Sequence, residues 1–265
     1  MDPISQYFLQ KTGNTHQLPV ILMYHGTVPG NSKQAFPYNI DTHRFEQQLD
    51  LLRKSGWTTA RIKDLAPLNK WPSKTIILTF DDGFENNFDG AFRPLQDRGM
   101  SATFYVVSGR IGGSSTWLQH VENEKMLNRK QIRQMHMAGM EIGSHTVHHP
   151  DLNRLEREDT LAEVKRSKIE LENIVGERVV SFAYPYGRYS DTTLNAVKEA
   201  GYDFACSVRP GRVRIDQDFF LLPRITIFAY DSLEAFARKI AFASNDASWG
   251  KILNYYKKRI LKRLF

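Results

Sequence analysis

The stretch TIILTFDDG (residues 75–83) joins a run of apolar and β-branched residues directly to two aspartates and a glycine. The apolar run predicts a buried strand over 74–80 that ends where the carboxylates begin. Taken alone, Asp81 and Asp82 favour a turn or a cap. Two carboxylates at the end of a buried strand also suit catalysis or metal binding, so the remaining sequence must show whether they have partners.

Strand and helix patterns alternate along most of the chain. About seven strands alternate with helices of 10–20 residues, which is typical of right-handed βα units. We therefore predict an α/β fold, a distorted parallel (β/α) barrel of about seven strands, as one domain over residues 1–247. The predicted strands are 18–26, 74–80, 101–108, 140–145, 179–187, 204–208 and 219–228, and the predicted helices are 41–57, 86–99, 128–140, 157–176, 190–202 and 233–243.

Composition narrows the class of protein. Of 265 residues 41% are hydrophobic and 12% aromatic, which is enough for a sizeable core and excludes a disordered chain. Cys206 is the only cysteine, so neither a disulfide framework nor a thiolate zinc site can form. The N-terminus lacks a charged segment followed by a long apolar run, so we expect a cytoplasmic protein, or a periplasmic one if a leader was removed.

The net charge of +7 is concentrated at the C-terminus. Six basic and no acidic residues lie from Lys251 onward, so residues 1–250 carry about +1, and we expect no nucleic-acid binding. Apolar residues at helical spacing predict a basic amphipathic helix over 248–265. Such a helix can contact anionic lipid, which would place the protein at the inner face of the membrane. It can equally pack on the barrel with its lysines in water, and binding of nucleic acid by this segment is a weaker alternative.

The segment EIGSHTVHHPDL (141–152) supplies partners for the aspartates. His145 and His149 follow a predicted strand, and Pro150 keeps His149 out of a helical conformation. Two histidines and one aspartate give three ligands and leave an open position for water, as in catalytic zinc sites. The second aspartate can then serve as a base. His148 is interpreted as a solvated neighbour rather than a ligand.

A general acid is also needed if an amine is the leaving group. The histidines outside the 145–149 loop are His16, His25, His43, His120 and His136. Among them only His25, in LMYHG (22–26), ends a predicted strand as the other site residues do. His25 is therefore the candidate acid, and a buried structural histidine is the alternative.

These motifs resemble those of a known family. TFDDG followed by HTVHHP is similar to the first two motifs of the polysaccharide deacetylases (carbohydrate esterase family 4), and FAYPY (182–186) is similar to the third. The resemblance covers about Val20 to Arg224. It implies Asp81 as base, a Pro185–Tyr186 loop lining the acetyl pocket with the Tyr186 backbone N–H at the oxyanion, and a divalent metal on three ligands, Asp82, His145 and His149.

The chain departs from the family pattern at two places. Phe182 replaces the arginine that begins the third motif, so Asp81 lacks a local tether. Arg224 in LPRI is the expected substitute, and an ordinary ion pair elsewhere is the alternative for this arginine. The late catalytic histidine is also absent. VILMYHG (20–26) resembles the biofilm poly-N-acetylglucosamine deacetylases, whose motif order places this histidine near the N-terminus, and this again implies His25.

The resemblance implies a metal-dependent N-deacetylase. We expect it to remove acetyl groups from a GlcNAc-type amino sugar in a polysaccharide, an oligosaccharide or a lipid-linked glycan, so that its partner is an N-acetylated glycan or glycolipid. Zinc is the expected metal, and cobalt and nickel are alternatives. The alternative functions are an O-acetyl esterase, another C–N amide hydrolase, or a glycan-binding pseudo-enzyme, and the missing arginine keeps the last of these open.

Overall fold

The computed structural model describes residues 1–12, 19–30, 36–65, 71–118, 124–214, 216–248 and 250. Strands and helices alternate through these residues, as the sequence predicts. The strands are β1 (Val20–Tyr24), β2 (Thr27–Val28), β3 (Ile40–Asp41), β4 (Thr58–Ala60), β5 (Thr75–Phe80), β6 (Thr103–Val106), β7 (Glu141–Ser144), β8 (Ser181–Ala183), β9 (Phe204–Cys206) and β10 (Ile225–Thr226). The helices are α1 (Pro3–Lys11), α2 (Thr42–Lys54), α3 (Arg93–Asp97), α4 (Arg129–Met137), α5 (Arg157–Val175), α6 (Asp191–Glu199) and α7 (Leu233–Phe242).

The main sheet is parallel and curls almost into a closed ring. Its strand order is β10-β1-β5-β6-β7-β8-β9, and β4 pairs with the first half of β5. Leu222 exchanges backbone hydrogen bonds with Ala205 and Ser207 at β9, and three residues later Ile225 pairs with Leu22 of β1. One chain segment therefore links the two edges of the sheet. The predicted distorted (β/α) barrel is confirmed.

Local signals set several helix boundaries. The Asp41 carboxylate accepts a hydrogen bond from the Arg44 backbone N–H and caps α2. Gly176 ends α5 with φ +76°, a conformation that costs glycine little. The helix predicted over 86–99 is instead a π-helical turn, Phe88–Phe92, followed by the short α3. Pro94 cannot donate a backbone hydrogen bond, which accounts for the break in the regular pattern.

The strand predicted over 219–228 is mostly irregular. Only Ile225 and Thr226 are in a strand, because this segment crosses from β9 to β1 and Pro223 has no N–H to pair. Arg224, which the predicted strand would contain, therefore lies outside any strand and directly precedes β10. Its side chain is nevertheless fully buried, and its Nη1 donates to the Thr79 hydroxyl of β5 at 3.2 Å.

Apolar side chains fill both faces of the sheet. Ile21, Ile77 and Tyr105 pack inside the barrel, whereas Leu78 and Phe104 belong to the larger cluster beneath the outer helices. The closed interior supports the strand ends that carry the site.

No helix in the described residues is long and apolar enough to cross a bilayer. Apart from residues 248 and 250, the amphipathic helix predicted over 248–265 lies outside the described part of the chain, and the division at 247 stays a prediction.

Candidate active site

The carboxyl ends of four strands meet at one cleft. His25 follows β1, Asp81 and Asp82 follow β5, His145 follows β7, and Tyr186 lies beyond β8. All five line a cleft of about 440 Å³. Parallel strands bring side chains that are distant in sequence to the same edge of the barrel, which is why the expected partners lie together.

Three of these side chains form a compact group of metal-ligand type. The ligand atoms of Asp82, His145 and His149 all lie within 4.8 Å of one another, and all three residues are buried. Asp82 Oδ1 is 3.6 Å from His145 Nε2 and 3.3 Å from His149 Nε2. The cluster thus has the two imidazoles and one carboxylate that suit zinc.

The surroundings of this cluster fit a bound cation. His145 Nδ1 lies 2.7 Å from the Ala183 carbonyl oxygen and donates its proton there, which leaves the Nε2 lone pair directed at Asp82. Burial lowers the pKa of His145 and of His149, so both rings are in the neutral form that binds metals. Burial and the Asp81 charge raise the pKa of Asp82 well above its ordinary value, a penalty that a dication at this position would offset.

The neighbouring Asp81 is held by a buried arginine. Arg224 Nη1 and Nη2 donate to the two Asp81 carboxylate oxygens at 2.6 and 2.8 Å, and Arg224 Nε donates to the Ser207 carbonyl at 2.9 Å. Burial raises the pKa of Asp81, but the Arg224 and His145 neighbours outweigh it and bring the pKa to about 2. The pKa values of the two adjacent aspartates are therefore shifted in opposite directions, that of Asp81 downward by Arg224 and that of Asp82 upward by burial and the Asp81 charge.

Phe182 explains why a distant arginine is needed. It occupies the position where the family's third motif has its arginine, and its side chain is fully buried in the apolar cluster outside the sheet. Phe182 is apolar, so it offers no charge to hold Asp81. Arg224 supplies the bidentate contact instead, from the segment that links β9 to β1.

The loops of the site hold left-handed backbone conformations. Asp82 (φ +73°), Thr146 (+69°), His149 (+61°) and Tyr186 (+58°) are four of the six non-glycine residues with positive φ in the described chain. Such conformations are costly and persist where the surroundings enforce them. Here the His149 backbone N–H donates to the Thr146 hydroxyl at 2.9 Å. The strained backbone conformations therefore occur in the loops that direct the candidate ligand side chains into the cleft.

His25 lies beside the cluster without joining it. Its ring is half-buried and packs at 4.7 Å from the Tyr38 ring, and its buried Nδ1 has no hydrogen-bond partner among the described residues. Burial lowers the pKa of His25 to about 4, although Asp81 opposes the shift. His25 is therefore neutral in the resting site at neutral pH.

The Pro185–Tyr186 turn forms another wall of the cleft. Pro185 is buried, whereas the Tyr186 side chain is half exposed and its ring packs edge-on against the His149 ring at 4.7 Å. The turn therefore supports a ligand residue in addition to bordering the cleft. His148 points away, because its Nδ1 lies 2.6 Å from Glu163 Oε1 on α5, in agreement with its interpretation as a neighbour.

Several aromatic residues that line the cleft were not predicted from the sequence. The Trp117 ring stacks on the His149 ring at 4.5 Å and 21°, and further rings come from Phe36, Tyr38 and Phe228. Trp117 and Phe36 lie in irregular segments that have no periodic pattern. The sequence does place aromatic residues in polar segments such as SSTWLQ (114–119). This pattern indicates a binding site only when the fold shows that the segment borders a cleft.

The comparisons with known proteins agree with this geometry. The family model for polysaccharide deacetylase matches residues 69–205, just over half of the chain. The polysaccharide deacetylase homologue YxkH of Bacillus subtilis is 31% identical over 87% of this chain and 78% of its own length. The poly-β-1,6-N-acetyl-D-glucosamine N-deacetylase of Staphylococcus aureus is 22% identical over 74% of this chain and 70% of its own.

A solved structure also superposes well. The Streptococcus pyogenes deacetylase PplD, determined in complex with acetate, has a TM-score of 0.73 and 27% identity, and the match covers 85% of this chain and 99% of PplD. The resemblance seen in the motifs is thereby confirmed, including that to the poly-N-acetylglucosamine deacetylases. Enzymes of this family are metal-dependent, and the His–His–Asp group is present here. The chain belongs to the polysaccharide deacetylase family and is a carbohydrate N-deacetylase of the hydrolase class.

Proposed function

We propose that the protein is a zinc-dependent deacetylase that removes N-acetyl groups from N-acetylglucosamine units of a glycan. One observation carries the proposal. The ionised Asp81, fixed by Arg224, is directly followed by the buried ligand Asp82, in a cleft that is open to a substrate. The substrate class is supported by the similarity to the poly-β-1,6-N-acetyl-D-glucosamine N-deacetylase.

Asp82, His145 and His149 would hold the ion. When bound, a divalent ion polarises the acetamide carbonyl and makes water acidic enough to attack at neutral pH. Zinc fits two neutral imidazoles and one carboxylate better than magnesium or calcium does, because those ions prefer oxygen ligands alone.

Asp81 accepts the proton of the attacking water. Its pKa near 2 keeps it ionised throughout the neutral range, and the two contacts from Arg224 fix the direction of its lone pairs. A buried base that is already fixed in direction needs little reorganisation during the reaction.

His25 supplies the proton to the departing amine. Cleavage of the C–N bond leaves acetate and a sugar amine that must gain a proton, and His25 follows β1 at the same edge of the barrel. Its pKa near 4 leaves the ring neutral at rest, so it must first be protonated, and the proton that Asp81 takes from the attacking water is the one available for this transfer. The Tyr186 backbone N–H, in a turn that borders the cleft, would donate to the oxyanion.

Acetate release from β-1,6-linked N-acetylglucosamine oligosaccharides tests the proposal. Asp81→Asn should lower kcat about 10²–10⁴-fold, the range typical of a general base, while zinc content stays near that of the parent. Asp89→Asn, at an exposed aspartate paired with Arg93, is the matched control and should keep full activity. If the zinc-loaded parent releases no acetate from these oligosaccharides, the proposed substrate is wrong; release from O-acetylated glycans alone would identify an esterase.

A further inference from the structure

A row of aromatic rings leads out of the cleft. Tyr38 packs on His25 at 4.7 Å between ring centroids, Phe228 on Tyr38 at 5.4 Å, and Tyr230 on Phe228 at 5.1 Å. Tyr38 and Phe228 line the cleft, whereas Tyr230 lies just outside it. The row therefore begins at the proposed general acid and ends at the surface.

The outermost ring is unusually exposed. The Tyr230 side chain is 74% exposed, and among the described residues the only other exposed tyrosines are Tyr7 and Tyr186. Tyr230 stacks almost parallel to Phe228, at 6°, so one face of its ring is covered and the other is directed away from Phe228. A large ring held in this way presents a flat apolar surface at little conformational cost.

The turn that carries these rings is held firmly. The Ala229 backbone N–H donates to the Pro37 carbonyl at 2.8 Å and joins this turn to the loop of Tyr38. Asp231 Oδ2 accepts from the Phe228 backbone N–H at 2.8 Å. The same carboxylate forms a buried ion pair with Lys239, whose Nζ lies 4.5 Å from the Phe228 ring centroid.

This bracing matters because a preorganised surface loses little entropy on binding. Lys239 Nζ also donates to the carbonyl of Thr226, a residue that lines the cleft. The aromatic row and the cleft wall are therefore connected through one buried lysine. An aromatic side chain that served only to fill the core would have no need of 74% exposure.

We infer that Tyr38, Phe228 and Tyr230 form a sugar-binding platform for the glycan units next to the one being deacetylated. This inference rests on the proposed function. The apolar C–H face of a pyranose fits a flat aromatic ring, and its hydroxyl groups remain in water. The platform gives the enzyme a preference for oligomers over the monosaccharide, because only a longer chain reaches from the reacting N-acetyl group to Tyr230.

Chain-length dependence of kcat/KM tests the platform. With β-1,6-linked N-acetylglucosamine substrates, Tyr230→Ala should lower the ratio of kcat/KM for the hexasaccharide to that for the monosaccharide about fivefold, mainly through KM. Tyr230→Phe, which retains the ring, should restore the ratio. Tyr7→Ala removes a similarly exposed tyrosine on α1 and should leave the ratio unchanged. An unchanged ratio in Tyr230→Ala would overturn the inference.

A binding measurement separates this inference from the proposed function. Affinity electrophoresis in gels that contain soluble β-1,6-linked poly-N-acetylglucosamine reports binding without turnover. Retardation of the parent and of Tyr230→Phe, with a clear loss in Tyr230→Ala, would support the platform even if no acetate were released. Equal retardation of parent and Tyr230→Ala would refute the platform even if the protein deacetylates the glycan.

Discussion

Two buried carboxylates, Glu141 and Asp82, lie at opposite ends of the same parallel sheet, and the groups that surround them differ. At the amino end, Glu141 of β7 accepts hydrogen bonds from the Thr103 hydroxyl, the Ser181 hydroxyl and the Lys63 backbone N–H at 2.6–2.9 Å. All of its partners are neutral donors. At the carboxyl end, Asp82 faces two imidazole nitrogens whose neutral forms present lone pairs.

The difference shows which end carries chemistry. The Glu141 carboxylate has all of its hydrogen-bond partners within the protein, and it joins β7 to β6, to β8 and to the turn of Lys63. The Asp82 group is complete only with a cation, and it lies among residues in strained backbone conformations. In parallel barrels the carboxyl end carries the reaction and the amino end contributes stability, and this molecule follows that division.

The largest expected effect comes from removing a ligand at the carboxyl end. His149→Ala should lower acetate release more than about a hundredfold and reduce zinc content well below one ion per chain, because two ligands hold zinc poorly. Zinc stoichiometry of the chelator-stripped and reloaded protein checks this directly. His148→Ala alters the adjacent residue, which bonds to Glu163 outside the cluster, and should retain both zinc and activity. Full zinc in His149→Ala would remove His149 from the ligand set.

A smaller effect is expected at His25, the proposed general acid, which lines the cleft but is not part of the Asp82–His145–His149 group. His25→Gln should lower kcat about a hundredfold through loss of the general acid, with zinc content unchanged. Steady-state kinetics on an N-acetylglucosamine oligosaccharide give the measurement. His43→Gln replaces an exposed histidine on α2 and serves as the control. Parent-like kcat in His25→Gln would mean that another group protonates the amine.

The smallest effect is expected from Glu141→Gln at the amino end of the sheet, and it concerns the pH dependence of stability. Burial raises the pKa of Glu141 despite its three donors, so the native state holds this proton more tightly than the unfolded state does. The stabilising contribution is therefore full at low pH and is lost as pH rises through the raised pKa. Relative to Glu141→Gln, which cannot titrate, the parent's free energy of unfolding should decrease as pH rises above the ordinary glutamic acid range.

Urea unfolding at a series of pH values measures this difference. An increase with pH would mean that the three hydrogen bonds outweigh burial and lower the pKa instead. Acetate release and zinc content of Glu141→Gln should match the parent at a pH where both proteins are folded. A loss of zinc in this variant would contradict the proposal that the amino end of the sheet contributes stability and the carboxyl end holds the metal.

Much of the fold could be predicted because the relevant signals are local. The apolar run before Asp81 marks β5, the capping side chain of Asp41 marks the start of α2, and Gly176 marks the end of α5. The prediction failed where chain crossing decides the structure. The segment around Pro223 has the composition of a strand, but it moves from one edge of the sheet to the other and pairs over two residues of β10.

The sequence by itself determined the chemistry of the site, since adjacent aspartates after a buried strand and two histidines after another are patterns of neighbouring residues. Only the tertiary structure decided which side chains meet across long separations. Arg224 contacts Asp81 across 143 positions, and the rings of Tyr38 and Phe228 pack together from loops that are even farther apart in the chain. Such contacts depend on barrel closure, which is a property of the whole sheet and leaves no local pattern.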